Sequence, residues 1–161
     1  MKDILYTLSE TGSPVPATFD QVIAAARAML AQRFRRGVSL NTPRLADNYL
    51  IAHFAGQAYE SFCCLFIDTR YRLIAFRELF RGTLDSCSVY TREVVKEAIQ
   101  YNAHAILLAH CHPSGVATPS PADEFITGRL KDALALIDVR VADHIIVAGG
   151  DTYSMAEHGL V

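Results

Sequence analysis

The chain has 161 residues, of which 51% are hydrophobic, so it is long enough for one domain with a substantial core. Its formal net charge of −2 provides no overall positive field that would draw it onto nucleic acid. No apolar run approaches the roughly 18 residues that a membrane span requires, and polar residues interrupt the N-terminus too early for a secretory signal. The four cysteines form no Cys-x-x-Cys pair, which predicts free thiols in a reducing cytoplasm.

Residues 1–41 are predicted to form an N-terminal arm and one helix. The stretch from Gly12 to Pro16 disfavours regular structure, so residues 1–17 are expected to be a loose arm. Thr18 and Gln21 have the spacing of a capping box that opens a helix. Its inner face would carry Val22, Ile23, Ala26, Met29 and Leu30. Gly37 would cap its end, after Arg33, Arg35 and Arg36, and cations are favoured there without any nucleic-acid partner.

Residues 42–161 are predicted to form the main domain. A second helix begins at Thr42-Pro43 and ends near Gly56, with Leu45, Tyr49 and Ala52 facing inward. The run 61–67 is typical of a buried strand, and 73–76 pairs back on it as a hairpin. A helix at 91–101, a strand at 105–109, a helix at 121–137 and a strand at 144–148 follow. This alternation predicts an α/β fold with a mixed central β-sheet flanked by helices.

The strongest chemical signal lies at the end of the strand 105–109. Residues two apart on an extended backbone point to the same side, so His110 and His112 can aim both imidazoles into one cleft. After a loop, Ser120 and Pro121 begin a helix whose first turn contains Asp123. Two imidazoles and one carboxylate with an open fourth position form a catalytic zinc site. Ser120 and Asp123 also fit a capping box, and the two roles are compatible.

The spacing His-x-His, seven residues, serine, two residues and aspartate resembles the motif of JAMM (MPN-type) zinc metalloproteases. Within that group, the segments 112–115, 78–83, 92–94 and 143–147 are similar to the RadC family, over roughly residue 42 to the C-terminus. The resemblance implies a JAMM/MPN-like (cytidine-deaminase-like) domain with Zn²⁺ held by His110, His112 and Asp123. The family usually has asparagine where this chain has Cys111, which is expected to pack rather than to bind metal.

Hydrolysis at such a site also needs a general base. Chain position leaves Glu60 and Glu78 as candidates. The resemblance favours Glu60, because JAMM proteins carry their catalytic glutamate at the start of an upstream hydrophobic strand. Ser120 would hydrogen-bond the developing oxyanion or the activated water. His53 is expected to be structural. His144 is expected to bond to the neighbouring Asp143, and the alternative is that it supports a metal ligand from behind.

The resemblance implies a zinc-dependent hydrolase of peptide or isopeptide bonds, with a peptide or protein as its substrate. The alternative is an accessory protein of DNA repair or mobile elements, which is how the RadC family has been labelled. Longer members carry a helix-hairpin-helix segment, and none is found before Thr42, so weak or no direct DNA binding is expected. A zinc nucleobase deaminase would need His-x-Glu and Pro-Cys-x-x-Cys, and neither string occurs.

Overall fold

The computed structural model describes residues 4–33, 36–40, 43–83 and 87–161. Within these residues, helices alternate with strands along most of the chain, which confirms the predicted α/β class. In chain order the elements are β1 (Tyr6–Leu8), β2 (Pro14–Pro16), α1 (Phe19–Arg33), α2 (Pro43–Phe54), β3 (Ser61–Ile67), β4 (Leu73–Arg81), α3 (Thr91–Gln100), β5 (Ala105–Cys111), α4 (Pro121–Ala135), β6 (Arg140–Ala148) and β7 (Asp151–Ser154).

A mixed five-stranded sheet with the order β4-β3-β5-β6-β7 forms the centre of the described structure. All seven residues of β3 are buried, as expected for a continuous apolar run. Strands β5 and β6 are parallel, whereas the other neighbouring pairs are antiparallel. A parallel pair needs a crossover connection, and α4 provides it, so the helix that follows the histidine pair packs back onto the sheet.

Helices cover both faces of the sheet and create two hydrophobic cores. On one face, called here the α4 face, α3 and α4 pack residues such as Leu130 against Leu108 of β5. On the opposite face, called the α2 face, α2 packs Leu50 against Leu65 of β3. Because successive strand residues point to opposite faces, each strand contributes alternately to the two cores. The face on which a side chain lies therefore decides which site it can reach.

The cysteines follow this alternation. Cys63 belongs to the core on the α2 face and Cys64 to the core on the α4 face, as predicted for neighbours on a strand. All four cysteines of the chain are free thiols. Among the residues described here, no helix has both the length and the apolar character needed to cross a membrane.

The N-terminal arm has more structure than predicted. Instead of a loose segment over residues 1–17, β1 and β2 form an antiparallel pair. Gly12 has a φ of 78° in the connection, where a left-handed conformation favours glycine. Pro14 and Pro16 are tolerated because both strands of a two-stranded ribbon are edges. The prediction of a loose arm is therefore wrong for the described part of this segment.

The N-terminus of α1 agrees with the prediction, but its inner face agrees only in part. The Thr18 amide donates to Gln21 Oε1 at 2.9 Å, and the Gln21 amide donates to Thr18 Oγ1 at 3.3 Å, which completes the capping box. Met29 was expected to face inward but is 70% exposed. The side chain of Leu30 and the whole of Arg35 lie outside the described residues.

The buried stripe of α2 is displaced from the predicted one, by one residue at its first two positions and by two at the third. The residues predicted to face inward are only half-buried: Leu45, Tyr49 and Ala52. The residues that are buried are Ala46, Leu50 and Phe54. A shift of one residue rotates a helix face by about 100°, and either stripe satisfies helical spacing. The predicted first residue, Thr42, lies outside the described residues.

The C-terminal part contains a strand that the sequence did not reveal. Strand β7 pairs antiparallel with β6, and Tyr153 lies opposite Ile146, where a short tail was expected. With four residues, β7 is too short for a clear alternating pattern. Strand β6 begins at Arg140 rather than at residue 144. In α3, Ile99 was expected on the inner face but is 61% exposed.

Candidate metal centre

The end of β5 presents two histidines. His110 is the sixth residue of the strand and lies on the α4 face, because Leu108, two residues earlier, packs there. The His112 amide donates to the Val147 carbonyl at 2.8 Å, which keeps the backbone beside β6 one residue beyond the strand. The chain then turns at Gly115, whose φ is 82°. Both imidazoles therefore point toward the N-terminus of α4.

The N-terminus of α4 supplies the carboxylate. Ser120 is the N-cap, Pro121 occupies the first turn, and the capping box is complete. The amide and hydroxyl of Ser120 donate to Asp123 Oδ2 at 2.7 and 2.6 Å, and the Asp123 amide donates to Ser120 Oγ at 3.2 Å. The capping interpretation is thus correct. It also fixes the carboxylate so that Oδ1 remains free to face the histidines.

The three predicted ligands converge on one point. His110 Nε2 lies 2.9 Å from His112 Nε2 and 3.0 Å from Asp123 Oδ1. His112 Nε2 lies 3.4 Å from Asp123 Oδ2. Neighbouring ligands of a tetrahedral zinc lie about 3.3 Å apart for bonds of about 2.0 Å. These side chains, which we call the His110 cluster, could hold such an ion and are largely buried.

The electrostatics of the His110 cluster keep Asp123 anionic. Burial by itself would raise the pKa of Asp123, but hydrogen bonds from His110 and His112 outweigh burial and hold that pKa well below its ordinary value. The pKa of His112 is raised, mainly by its hydrogen bond to Asp123 and further by the charge of Glu60. An ionised carboxylate is the form that binds metal.

The outer nitrogens of both histidines have partners. His112 Nδ1 lies 2.7 Å from the Val116 carbonyl, which can only accept, so Nδ1 donates. In the protonated ring Nε2 donates to Asp123, and in the neutral ring Nε2 has the lone pair that a metal would bind. His110 Nδ1 lies 2.8 Å from Nε2 of His144, and Nδ1 of His144 lies 2.6 Å from Thr127 Oγ1. Burial holds the pKa of His144 well below its ordinary value, so its ring is neutral.

The His144 ring therefore takes the alternative position, behind His110, and not the expected one beside Asp143. Only its backbone amide bonds to Asp143, donating to Oδ1 at 2.7 Å, while its ring lies between His110 and Thr127. Thr127 has no sequence signal for this role, because it contacts His144 across 17 residues of chain. Phe62 adds an aromatic wall, stacked on the His110 ring with centroids 6.2 Å apart. Sequence analysis missed Thr127 and Phe62.

Glu60 lies at the same cleft as the His110 cluster. It directly precedes β3, and its backbone is held at the edge of the sheet. The Glu60 amide donates to the Thr83 carbonyl at 2.7 Å, and the Gly82 amide donates to the Glu60 carbonyl at 2.8 Å. The segment 78–83 thus contributes to the site through its backbone, because its hydrogen bonds fix the position of Glu60 next to the first residue of β3.

Glu78, the other candidate base, lies on the opposite face of the sheet. Phe80 pairs with Phe62, but Glu78 pairs with Cys63, so the register shifts at Leu79. This β-bulge moves Glu78 to the α2 face, whereas an uninterrupted strand would put it on the same face as Phe80. Its carboxylate instead lies 3.2 Å from His53 Nε2. Glu78 therefore lies across the sheet from the His110 cluster.

The cleft above the cluster has a volume of about 390 Å³, within the usual range for ligand sites. The residues that line it are Glu60, Phe62, Cys87, Val89, His110, His112, Ser114, Ser120, Ala122, Asp123 and Ile126. Cys111 points away from it, as predicted, with Sγ 3.4 Å from the Tyr59 carbonyl and 3.6 Å from Gln57 Oε1. The cleft thus combines a metal-ligand set, a carboxylate and apolar walls.

Comparison with known proteins agrees with this geometry. The family model described as RadC-like JAB domain matches residues 40–160. A protein of Nitrosococcus oceani named UPF0758 protein is 55% identical over 135 residues, 84% of this chain. Proteins of the same name from Stutzerimonas stutzeri and Janthinobacterium sp. (strain Marseille) are 52% and 49% identical over 89% and 94% of this chain. The chain spans 60%, 66% and 68% of the lengths of these three relatives.

Proposed function

The chain belongs to the RadC-like JAB family, and we propose that it is a zinc-dependent hydrolase of peptide or isopeptide bonds. One observation carries the proposal: Glu60 and the three convergent side chains His110, His112 and Asp123 line the same cleft. A metal-ligand set with a separate acid beside it is the arrangement that metal-assisted hydrolysis requires.

The donor set fits zinc. His110, His112 and Asp123 would hold the ion, since two imidazoles and one carboxylate are typical protein ligands of catalytic zinc. Zinc bound there would supply Lewis acidity, which activates water near neutral pH and polarises the carbonyl of the scissile bond. The chain supports this by presenting both histidines through Nε2 and by keeping Asp123 ionised.

Glu60 would act as the general base. A carboxylate at the cleft can accept the proton of the attacking water and then deliver it to the leaving amine. Backbone hydrogen bonds to residues 82 and 83 hold Glu60 in position, so little reorganisation is needed. Glu78 is not proposed for this role, because the bulge in β4 places it on the α2 face.

For Ser120 we propose two uses of one hydroxyl. In the structure its hydrogen is directed to Asp123 Oδ2 at 2.6 Å, which orients the carboxylate. A rotation of the hydroxyl away from Asp123 would let it donate to the developing oxyanion, which gains more from a donor than the ground-state carbonyl does.

The substrate we propose is a peptide or protein in the cytoplasm, not nucleic acid. A net charge of −2 provides no positive field that would draw a phosphate backbone to the chain, and the charge of the proposed zinc would be offset by Glu60 and Asp123 in the cleft. The apolar walls formed by Phe62, Val89 and Ile126 would accept side chains of a peptide. Because the relatives are longer than this chain, the substrates and partners of a whole protein are part of the proposal.

The test uses the zinc-loaded chain and a panel of short peptides and isopeptide-linked dimers. Glu60→Gln should keep its metal and lose about 10²- to 10⁴-fold in hydrolysis rate, because an amide cannot accept the proton. Glu124→Gln is the matched control, since Glu124 is an exposed acid in the first turn of α4, and it should hydrolyse like the wild type. A zinc-loaded wild type that cleaves nothing in the panel, or an undiminished Glu60→Gln, would contradict the proposal.

A further inference from the structure

A second group of ligand-type side chains meets on the α2 face of the sheet. His53 Nε2 of α2 lies 3.2 Å from Glu78 Oε2 of β4 and 3.8 Å from Cys63 Sγ of β3. All three atoms lie within 4.8 Å of one another. We propose that these residues, called the His53 cluster, form a second metal site that binds a zinc-like divalent cation and ties α2 to the β3–β4 hairpin.

The distances suit tetrahedral coordination. With bonds of about 2.0 Å to nitrogen or oxygen and about 2.3 Å to sulfur, neighbouring ligands of zinc lie about 3.3 to 3.6 Å apart. The observed separations of 3.2 and 3.8 Å bracket that range. They match it as closely as the separations of 2.9 to 3.4 Å in the His110 cluster do. At these two pairs an ion would need shifts of only a few tenths of an ångström, and the third pair, Cys63 Sγ and the Glu78 carboxylate, lies within 4.8 Å.

Hydrogen bonding cannot join all three groups of the His53 cluster at once. Nε2 of His53 can either donate one hydrogen to Glu78 or accept one from the Cys63 thiol, but it cannot do both. If it donates, the fully buried thiol loses its acceptor on His53. If Nε2 accepts a hydrogen bond from the thiol, no hydrogen lies between Nε2 and the Glu78 carboxylate. The nitrogen and the carboxylate oxygen then face each other without a hydrogen bond. A cation at the centre uses a lone pair of all three groups.

The charges and the ligand types point to the same class of ion. An ion at the centre would bind the neutral imidazole of His53 and displace the proton of the Cys63 thiol. Burial raises the pKa of that thiol, so the proton leaves only when the ion replaces it. A thiolate and a carboxylate carry two negative charges, which a divalent cation neutralises in this partly buried position. One sulfur, one nitrogen and one oxygen ligand suit borderline ions such as zinc better than magnesium or calcium, which prefer oxygen.

The surroundings hold His53 in place and leave a route for an ion. The His53 ring packs edge-on against Phe54 and Phe76, with centroids 5.1 and 4.8 Å apart. Cys63 is fully buried at the base, whereas the side chains of His53 and Glu78 are 23% and 32% exposed. The open side next to Glu78 could admit the ion and a fourth ligand from solvent. The His110 cluster lies on the opposite face, so the two sites would load independently.

Cobalt(II) provides a direct test, because it replaces zinc and shows a near-ultraviolet charge-transfer band when a thiolate binds it. The His110 cluster contains no sulfur, so the band reports only on a site with a cysteine. The full chain titrated with cobalt should bind two ions and develop the band. Cys63→Ala should bind one ion and lose the band.

Cys64→Ala is a matched control. Cys64 is adjacent, equally buried and on the α4 face, so this variant should keep two ions and the band. Cys87→Ser should keep the band too, which excludes the thiol that lines the other cleft. A wild type without the band, or a band that survives Cys63→Ala, would overturn the proposal.

A surface variant covers the case in which Cys63→Ala does not fold. Glu78 is at the rim, so Glu78→Gln should preserve the fold, as checked by circular dichroism. Loss of a group that only hydrogen-bonds to a ligand already costs about 10- to 100-fold in metal affinity. Loss of the ligand Glu78 should therefore weaken the cobalt affinity by at least that factor, as measured by titration of the thiolate charge-transfer band. An unchanged affinity would show that Glu78 is not a ligand and would overturn the three-ligand site.

Discussion

Nδ1 of His110 lies 2.8 Å from Nε2 of His144, a fully buried histidine on the neighbouring strand. If His110 binds metal through Nε2, its Nδ1 carries the proton and donates to His144. His144 must then donate from Nδ1 to Thr127 Oγ1, and Thr127 donates to the Asp123 carbonyl, 2.5 Å away. One directed chain of hydrogen bonds thus runs from one metal ligand to the backbone of another.

The first prediction concerns the middle of that chain. Thr127→Val preserves the shape of the side chain but leaves His144 without an acceptor and the Asp123 carbonyl without this donor. Loss of such an outer-shell partner costs about 10- to 100-fold in metal affinity, so zinc binding should weaken by that factor. Competition with a chromophoric chelator measures it.

Thr127→Ser is the matched control, because serine keeps the hydroxyl. It should bind zinc within about threefold of the wild type, since the hydrogen bonds that act on His144 and Asp123 remain. If the valine variant binds zinc as tightly as the serine variant, the chain through His144 does not contribute to the metal site.

The sequence predicted that His110, His112 and Asp123 converge, but not the contacts that support them, for a physical reason. His110, His112 and Asp123 lie within 14 positions of one another in the sequence. The alternation of side chains along a strand fixes the direction of the two histidines, and the helix start fixes the direction of the aspartate. The contact between Thr127 and His144 depends instead on how α4 docks on β6. That docking is a packing outcome, and no local spacing encodes it.

The bulge in β4 shows a second limit. Alternation alone would place Glu78 and Phe80 on the same face, and therefore near the His110 cluster. Only the extra residue at Leu79 separates them, and no local signal marks that position. In α2, likewise, two stripes one or two residues apart both satisfy helical spacing, and the smaller Ala46 lies on the buried one. Small side chains contribute little to a hydrophobic pattern but pack closely.

The second prediction concerns the thiol of Cys87, which lines the cleft. Burial, with a further contribution from Glu60, raises its pKa to about 11. Since a raised pKa leaves less thiolate at a given pH, alkylation by iodoacetamide should be slow at pH 8. The rate should rise about tenfold per pH unit up to about pH 11, because the thiolate is the nucleophile.

Peptide mass spectrometry gives the rate for each cysteine separately. The unfolded chain serves as the control, where Cys87 should have an ordinary pKa of about 8.5 and react quickly at pH 8. Cys64, fully buried, should stay protected in the folded chain. A folded chain whose Cys87 reacts at pH 8 as fast as the unfolded one would contradict the raised pKa of this partly buried thiol.

The third prediction concerns the core that holds α4. Leu130 is fully buried on the α4 face, so Leu130→Ala should lower the free energy of unfolding by about 2 to 5 kcal/mol. Leu136 caps the same helix and is 87% exposed, so Leu136→Ala should change it by no more than about 0.5 kcal/mol. Urea unfolding measures both, and equal effects would be inconsistent with the described packing of α4.

The last prediction separates a metal ligand from the residues around it. In Asp123→Asn the side-chain oxygen can still accept from the Ser120 amide, because the N3 position of a capping box works with an acid or an amide side chain, so the fold should persist. A neutral amide is a poor ligand for zinc, and two histidines alone hold it weakly. The metal bound at the His110 cluster should therefore be lost, and any hydrolysis should be lost with it.

Elemental analysis after removal of free metal should show one equivalent less than in the wild type. Asp132→Asn is the matched control, since Asp132 is exposed on the same helix, and it should retain full metal content. Glu60→Gln should also retain its metal while losing activity, so the two acids of the cleft are distinguished by metal content. If Asp123→Asn keeps the full metal content, Asp123 is a helix cap and not a ligand, and zinc at this cleft would have to be held by other groups.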